Sequence, residues 1–336
     1  MALMRTPVCV IQEISRKLDN IYLKSLRIKM NKDIPANCEN PADLLRERQG
    51  YSLMGKIYLS KQRIKEWYEY WEGKVYVSFS GGKDSTVLLH LVRSMYPEVP
   101  AVFVDTGLEY PEIKEFVRSV ENVIWLRPKL SYRQVIEKYG YPIINKQVSM
   151  GFDRLQNTKS EEQRKLRLYG GINPSSGKKQ TRSIPLKWHY LKNSGFKISD
   201  RCCDIMKKAP IKVYERASGN KSFVGLLTTD SNLRQMSYIK RGGCNSFSGN
   251  KSSWPLAFWT EKDIWNYINQ NNTSYSEIYD MGEKRTGCMW CMFGVHMEKE
   301  PNRFQRMKIT HPKIYDYCIN KLEIGRVLDY INVNYE

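Results

Sequence analysis

Six consecutive residues, Ser80-Gly81-Gly82-Lys83-Asp84-Ser85, stand between an apolar run, Val75-Tyr76-Val77-Ser78-Phe79, and a helix-like run from Thr86 to Val92. Strand, glycine turn and helix in that order is the local geometry that binds a phosphate. The glycines let the backbone come close to the ligand. Unpaired N–H groups at the helix start face the anion, and the helix dipole favours negative charge there. The backbone of Gly81, Gly82 and Asp84, with the Ser80 and Ser85 hydroxyls, is the expected cradle. The ordinary alternative is a strand-to-helix turn with a polar cap. The full string between a strand and a helix favours phosphate binding.

From residue 74 strands and helices alternate. Val75–Phe79, Val99–Val104, Val123–Leu126 and Phe223–Leu227 read as strands, and Trp254–Trp259 as a fifth. Helical runs such as Glu112–Val120 and Tyr132–Tyr139 fall between them. This pattern predicts an α/β fold: a doubly wound, mostly parallel, Rossmann-like sheet. Ligands of such sheets sit at the carboxyl ends of strands. The glycine turn and Asp105-Thr106-Gly107 both fall there. Residues 1–72 read as a helical N-terminal extension, with helical periodicity over Ile11–Leu23 and Tyr58–Trp71. Residues 73–270 form the α/β domain, and 271–336 a C-terminal segment with Cys-x-x-Cys and helices. A basic insert, 145–200, interrupts the alternation. Its Lys and Arg residues interleave with Tyr169, Trp188, His189 and Tyr190, which suits either a nucleic-acid strand or a solvated loop.

Composition narrows the partners. Fifty-four Lys and Arg against 35 Asp and Glu leave a net charge of +19. A field of that sign favours polyanions, with nucleic acid the natural candidate and a site built for several phosphates the alternative. No apolar run approaches membrane-spanning length. The first residues lack the apolar stretch of a secretory signal, so the expected location is cytoplasmic.

Eight cysteines in such a chain argue for metal or redox chemistry rather than a disulfide framework. Cys202-Cys203 opens a helical run, Asp200–Ser218, and Cys288-Met289-Trp290-Cys291 follows Arg285-Thr286-Gly287. Four thiolates complete either a tetrahedral zinc site or an iron–sulfur cubane. Tandem cysteines suit a cluster, whose irons are spaced so that neighbouring side chains each find one. Zn²⁺ stays the alternative. Cys318 reads as core. Cys244, in Arg241-Gly242-Gly243-Cys244, reads as exposed, an extra ligand or a sulfur carrier. Cys9 and Cys38 carry no signal.

Taken together these motifs resemble the phosphoadenosine-phosphosulfate reductase family of the PP-loop, or adenine-nucleotide alpha-hydrolase, superfamily. The resemblance spans about residues 74–295. It rests on Ser80–Ser85, on Val104-Asp105-Thr106-Gly107 with Tyr110-Pro111-Glu112, and on Cys202-Cys203 with Lys207-Lys208-Ala209-Pro210. It continues through the stretch from Pro255 to Ile268 and Cys288–Cys291. The cysteine set resembles the 4Fe–4S ligands of adenylyl-sulfate reductases. Two features depart from the reductases. The glycine loop is intact, and the stretch 329–336 has no cysteine where they end in Glu-Cys-Gly-Leu-His. Their Gly-Ile-Arg-x-x-Glu-Ser-x-x-Arg stretch appears as Gly225 to Arg234, with Ser231 and Arg234 retained and the first Arg lost.

An intact loop in this superfamily implies cleavage of ATP between its α- and β-phosphates. Loop plus cluster is similar to the ATP-pyrophosphatase of DNA phosphorothioation and to sulfur-inserting tRNA enzymes. The implied activity is adenylation of an acceptor for sulfur transfer, with a cysteine desulfurase or another sulfur donor as partner. The implied catalytic residues are Lys83, Asp84, Asp105 and Arg234, with Arg241 as a second phosphate clamp. Ser80–Ser85 and Asp105-Thr106-Gly107 would bind ATP, and Mg²⁺ would neutralise the leaving pyrophosphate at Asp84 or Asp105. One alternative is a sulfonucleotide reductase releasing sulfite, which needs a nucleophilic cysteine at 244 or 318. The other is a nucleotide- or nucleic-acid-binding module without turnover. No oligomeric state follows from the sequence.

Overall fold

The computed structural model describes residues 40–173, 176–180 and 183–336. In it the run ahead of the glycine turn is strand β1 (Val75–Ser78), and the helix after the turn is α1 (Lys83–Arg93). The chain continues through β2 (Ala101–Val104), α2 (Pro111–Ser119), β3 (Val123–Leu126) and α3 (Tyr132–Tyr139). A short strand, β4 (Ile143–Ile144), leads into the basic insert. There the chain folds into α4 (Lys146–Asn157) and α5 (Glu161–Tyr169). Later come α6 (Ala209–Ser218), β5 (Lys221–Val224) and β6 (Met292–Phe293). All these elements belong to a unit made of Tyr68–Gly225 and Thr273–Glu336.

Its sheet runs β3-β2-β1-β5. Every pairing is parallel, with Val77 opposite Ala101 on one side and Phe223 on the other. The strand order reverses at β1. That reversal is the switch point beside which α/β folds bind ligands, and the glycine turn leaves the sheet there. Val75, Tyr76 and Val77 are buried, as a central parallel strand covered on both faces requires. The Tyr76 hydroxyl is satisfied by Glu215 Oε1 at 2.9 Å. Helix α1 buries Val87, Leu88, Leu91 and Val92, each worth about 1.5–3 kcal/mol of transfer free energy.

Gly81 takes φ +72°, and a Cβ there would lie 2.8 Å from Ile113 Cγ2 and Val117 Cγ2 of α2. Gly81→Ala is therefore expected to destabilise the fold by about 1–2 kcal/mol through its left-handed backbone alone. Urea unfolding measures this; an unchanged midpoint would show that the turn relaxes freely.

The second unit holds the described residues up to Trp67 with Leu226–Asn272. It contains the helix Pro41–Gln49, most of the helix Leu53–Tyr70, and the helices Asn232–Arg241 and Glu261–Asn271. A short antiparallel pair joins Asn245–Ser246 to Ser252–Ser253. The expected strand Trp254–Trp259 is instead a buried turn. Ala257 N–H bonds Trp254 O, and Trp259 N–H bonds Leu256 O. Pro255 has no N–H for a ladder, so the apolar run reflects burial and not extension. Ser60 ties the turn down, donating to Pro255 O and accepting from Trp259 Nε1, both at 2.9 Å. The two described N-terminal helices accord with a helical extension. The Ile11–Leu23 pattern, Cys9 and Cys38 lie outside the described residues. Among the described residues no helix is long and apolar enough to cross a membrane.

Candidate functional site

The glycine turn is held by its own serines. Ser80 N–H donates to Ser85 Oγ at 3.2 Å, and Ser85 Oγ donates to Gly82 O at 2.8 Å. The hydroxyls of Ser80 and Ser85 lie 3.1 Å apart. Gly82 stands at the N-cap of α1 without a side-chain cap, so the helix start carries no competing acceptor of its own. Lys83 is 6% exposed, and its ammonium sits 3.3 Å from Asp84 Oδ1.

A segment near residue 280 closes on this turn, and nothing in the sequence pattern announced it. Tyr279 Oη accepts from Lys83 N at 2.8 Å, and its ring lies 5.8 Å from the Lys83 ammonium. Thr286 Oγ1 is 3.3 Å from the same hydroxyl. A Cβ on Gly82 would meet Thr286 Oγ1 at 2.5 Å and Tyr279 Oη at 3.2 Å. The second glycine is thus required by tertiary contact. Tyr279 shows that an oxygen acceptor fits against the first N–H of the helix, the position suited to a phosphate oxygen.

At the end of β2, Asp105 pairs with Lys114 Nζ at 2.8 Å and more loosely with Arg127 at 3.7 Å. Burial raises its pKa. The Lys114 bond and charge, the Gly107 N–H and Arg127 outweigh this, so the carboxyl is held below its usual range. Thr106 is gripped by Glu109, through N–H to Oε2 at 2.9 Å and Oγ1 to Oε1 at 2.7 Å. Gly107 adopts φ +78°. Among the described residues no three or more His, Cys, Asp or Glu side chains converge on a single-ion site. Asp84 and Asp105 each already face a cation.

The thiols meet in the same unit. Met289 N–H bonds Leu108 O at 2.9 Å, docking Cys-x-x-Cys against the loop after β2. Strand β6 then pairs with β4, and Arg303 Nη1 bonds Cys291 O at 2.9 Å. Cys202-Cys203 opens a helix whose backbone widens into a π-helical turn over Asp204–Lys208. Ala209 N–H bonds Asp204 O, five residues back. Pro210 has no N–H and its ring crowds the carbonyl four residues earlier, which explains the widening.

Burial raises the pKa of Cys202, and Cys288, Cys203 and Cys291 add to the rise. Burial likewise pushes Cys288 up to about 11, against the charge of Lys207. Cys291 is raised by burial, with Cys203 contributing. Burial lowers the Lys207 pKa, but Cys288 and Glu109 more than offset it, so the ammonium stays charged beside the thiols. Tyr132 lies in the same nest. Burial raises its pKa strongly, and Cys202, Cys318, Cys291 and Cys288 reinforce the effect. Its hydroxyl and Trp290 Nε1 are buried without a hydrogen-bond partner. One buried and three part-buried thiols beside two orphaned donors suit a group that presents acceptor atoms, as a cluster's sulfides do.

The Cys288 thiol carries a pH prediction. The folded chain favours its neutral form, so its stabilising contribution is complete below the ordinary pKa of 9.0 and is lost as pH rises through about 11. The metal-free, reduced chain is expected to lose thermal stability across that window, and Cys288→Ser to flatten the loss. Identical melting curves for parent and variant would show that Cys288 does not set it.

Arg234 lies in the second unit and pairs with Asp230. Arg241, also there, bonds Ser252 and stacks 3.8 Å from the Trp254 ring centroid; burial pulls its pKa down to about 10. Cys244, expected to be exposed, is instead buried, at 3% accessible. It sits 3.7 Å from Tyr238 Oη, which in turn accepts from Arg48 at 3.0 Å. The glycines before it shape a turn that folds the thiol inward. Cys318 is fully buried, in keeping with a core residue.

Comparison with known proteins adds the family. The profile of the phosphoadenosine phosphosulfate reductase domain matches residues 74–169 and 156–293. An uncharacterized protein of Methanocaldococcus jannaschii is 25% identical over 322 residues, covering 92% of this chain but 61% of its own length. The adenosine 5'-phosphosulfate reductase of Lysinibacillus sphaericus is 24% identical over 70% of this chain and 81% of its own. Among solved structures, the phosphoadenylyl-sulfate reductase of Candida auris, in a phosphate complex, matches at 17% identity and TM-score 0.39. That match covers 71% of this chain and 96% of the other.

Proposed function

This chain belongs to the phosphoadenosine phosphosulfate reductase family, and we propose that within it the chain is an ATP pyrophosphatase that adenylates a nucleic-acid acceptor for sulfur transfer. One observation carries the reading. The stretch from Tyr279 to Cys291 touches the glycine turn through Tyr279 and Thr286, then supplies Cys288 and Cys291. A phosphate-binding turn and a thiol nest are thereby joined by a single short stretch of chain.

In the proposed reaction an acceptor oxygen attacks the α-phosphorus of ATP. The bond from that phosphorus to the bridging oxygen breaks, the electron pair leaves with pyrophosphate, and the acceptor keeps the adenylyl group. The turn's N–H groups and the dipole of α1 hold the phosphates. Lys83 offsets charge developing on the bridging oxygen, from a buried position where such compensation is strong. Mg²⁺ enters with ATP as part of the substrate. Asp105-Thr106-Gly107, braced by Lys114 and Glu109, forms the neighbouring wall. Cys202, Cys203, Cys288 and Cys291 would hold a 4Fe–4S cluster, with Tyr132 and Trp290 as donors toward it. When bound, that group supplies electrons or sulfur, or ties the two thiol segments together. Zinc is the alternative occupant, and the tandem Cys202-Cys203 pair suits it less than a cluster, because zinc sites prefer a spacer between ligands.

The identity with a named adenosine 5'-phosphosulfate reductase supports a second reading, reduction of a sulfonucleotide to sulfite. The burial of Cys244 and Cys318 weighs against it, because neither is a mobile nucleophile. The test uses anaerobically purified chain. Pyrophosphate released from Mg–ATP only with an oligonucleotide acceptor supports the first reading. Sulfite released from adenylyl sulfate and a thiol supports the second and sinks the first.

A further inference from the structure

Helices α4 and α5 of the basic insert border a cavity of about 340 Å³ that contains none of the residues assigned above. Arg154, Arg167 and Arg201 line it, with Asn157, Gln163 and one carboxylate, Asp153. That carboxylate is occupied. Arg201 Nη2 and Nε bond its Oδ2 at 3.1 and 3.2 Å, and Asn157 Nδ2 reaches its Oδ1 at 3.3 Å. Arg154 and Arg167 have no ion-pair partner among the described residues. Burial lowers the Arg167 pKa, and the charge of Arg154 lowers it further. Two guanidiniums held close enough to repel one another, beside a third that is already neutralised, leave an uncompensated positive notch. An oxyanion removes the repulsion and offers both forks acceptor oxygens.

We propose that this notch binds a backbone phosphate of a nucleic-acid strand, anchoring the strand to the insert. The inference rests on the reading above for the strand's role as acceptor, while the binding itself does not depend on turnover. Three observations favour a strand over a small anion. The segment 145–200 carries twelve Lys or Arg against four Asp or Glu. Exposed Arg164 and Lys165 flank Arg167 on α5. Tyr169, at the end of that helix, is 69% exposed and meets the His189 ring edge-on at 5.6 Å. His189 is itself fixed, its Nε2 lying 2.9 Å from Ile184 O, while Ile184 N–H bonds Arg167 O at 2.9 Å. A fixed, exposed aromatic beside a phosphate-binding notch is how proteins hold single strands.

The test is fluorescence anisotropy of a labelled single-stranded oligonucleotide with the full chain, across a series of salt concentrations. Arg154→Ala and Arg167→Ala are each expected to weaken binding about three- to tenfold. Each lost phosphate contact lowers the slope of log K against log salt by about 0.7. Arg133→Ala, on α3 outside the insert and paired with Glu137, is the control, with melting temperature checked for all three. Calorimetry with Mg–ATP is expected to be unchanged in every variant. Oligonucleotide binding through the notch without pyrophosphate release would sink the proposed activity and leave the anchor standing. Three results would overturn the anchor: no binding by the parent, variants with the parent's affinity and slope, or inorganic phosphate binding at the notch as tightly as the oligonucleotide.

Discussion

Lys83→Met is expected to lower ATP-dependent pyrophosphate release by about 10²–10³-fold while the chain stays folded. The methionine keeps the length and apolar stem of the side chain and removes the charge, which lies 5.8 Å from the Tyr279 ring centroid. In the proposed reaction negative charge grows on the oxygen between the α- and β-phosphates. A buried ammonium at the start of α1 compensates it far better than water would. The loss should fall mainly on kcat, because the turn's N–H groups still hold the ground-state phosphates. Steady-state kinetics with thermal unfolding as a control make the measurement. Equal kcat for parent and variant would mean that the Lys83 charge does not stabilise the transition state.

Cys202→Ser is expected to reduce bound iron and sulfide in anaerobically prepared protein to about a tenth of the parent's or less. Loss of even a supporting residue of a metal site typically costs 10–100-fold in affinity. Stability should follow. A group bound at a hundred times its dissociation constant adds about 2.7 kcal/mol to the folded state, and the variant forgoes it. The melting temperature of loaded parent should therefore exceed that of the variant, and the two should converge after chelation. Iron analysis beside zinc analysis separates the two occupants. Full metal content in the variant would remove Cys202 from the ligand set, and zinc in the parent without iron would overturn the cluster.

Some of this was legible in residue order because it is local. The strand Val75–Ser78, the turn and the helix Lys83–Arg93 follow from alternation, glycine and apolar spacing within twenty residues. Pro111 at the first turn of α2 and the capping box of Ser131 and Gln134 on α3 mark helix starts in the same way. The two cysteine pairs declare themselves by spacing. Where burial and extension look alike the reading failed. Trp254–Trp259 is continuously apolar because it is core, yet its backbone turns. Cys244 lies among glycines and an arginine, the composition of a surface loop, but it is buried beside Tyr238.

The residue order alone determined that a glycine turn would leave a parallel sheet at the start of a helix and that four thiols would be available in two pairs. Hydrogen bonding between near neighbours and side-chain periodicity suffice for that. Only the tertiary structure decided that Tyr279 and Thr286 close on the turn, that Lys207 and Tyr132 stand among the thiols, and that Arg154 and Arg167 share a notch. Apart from the two notch arginines, which come together across adjacent helices, these contacts bridge long stretches of sequence. They form because burial of the sheet and helices brings distant segments together, and no short-range preference encodes which polar groups then meet.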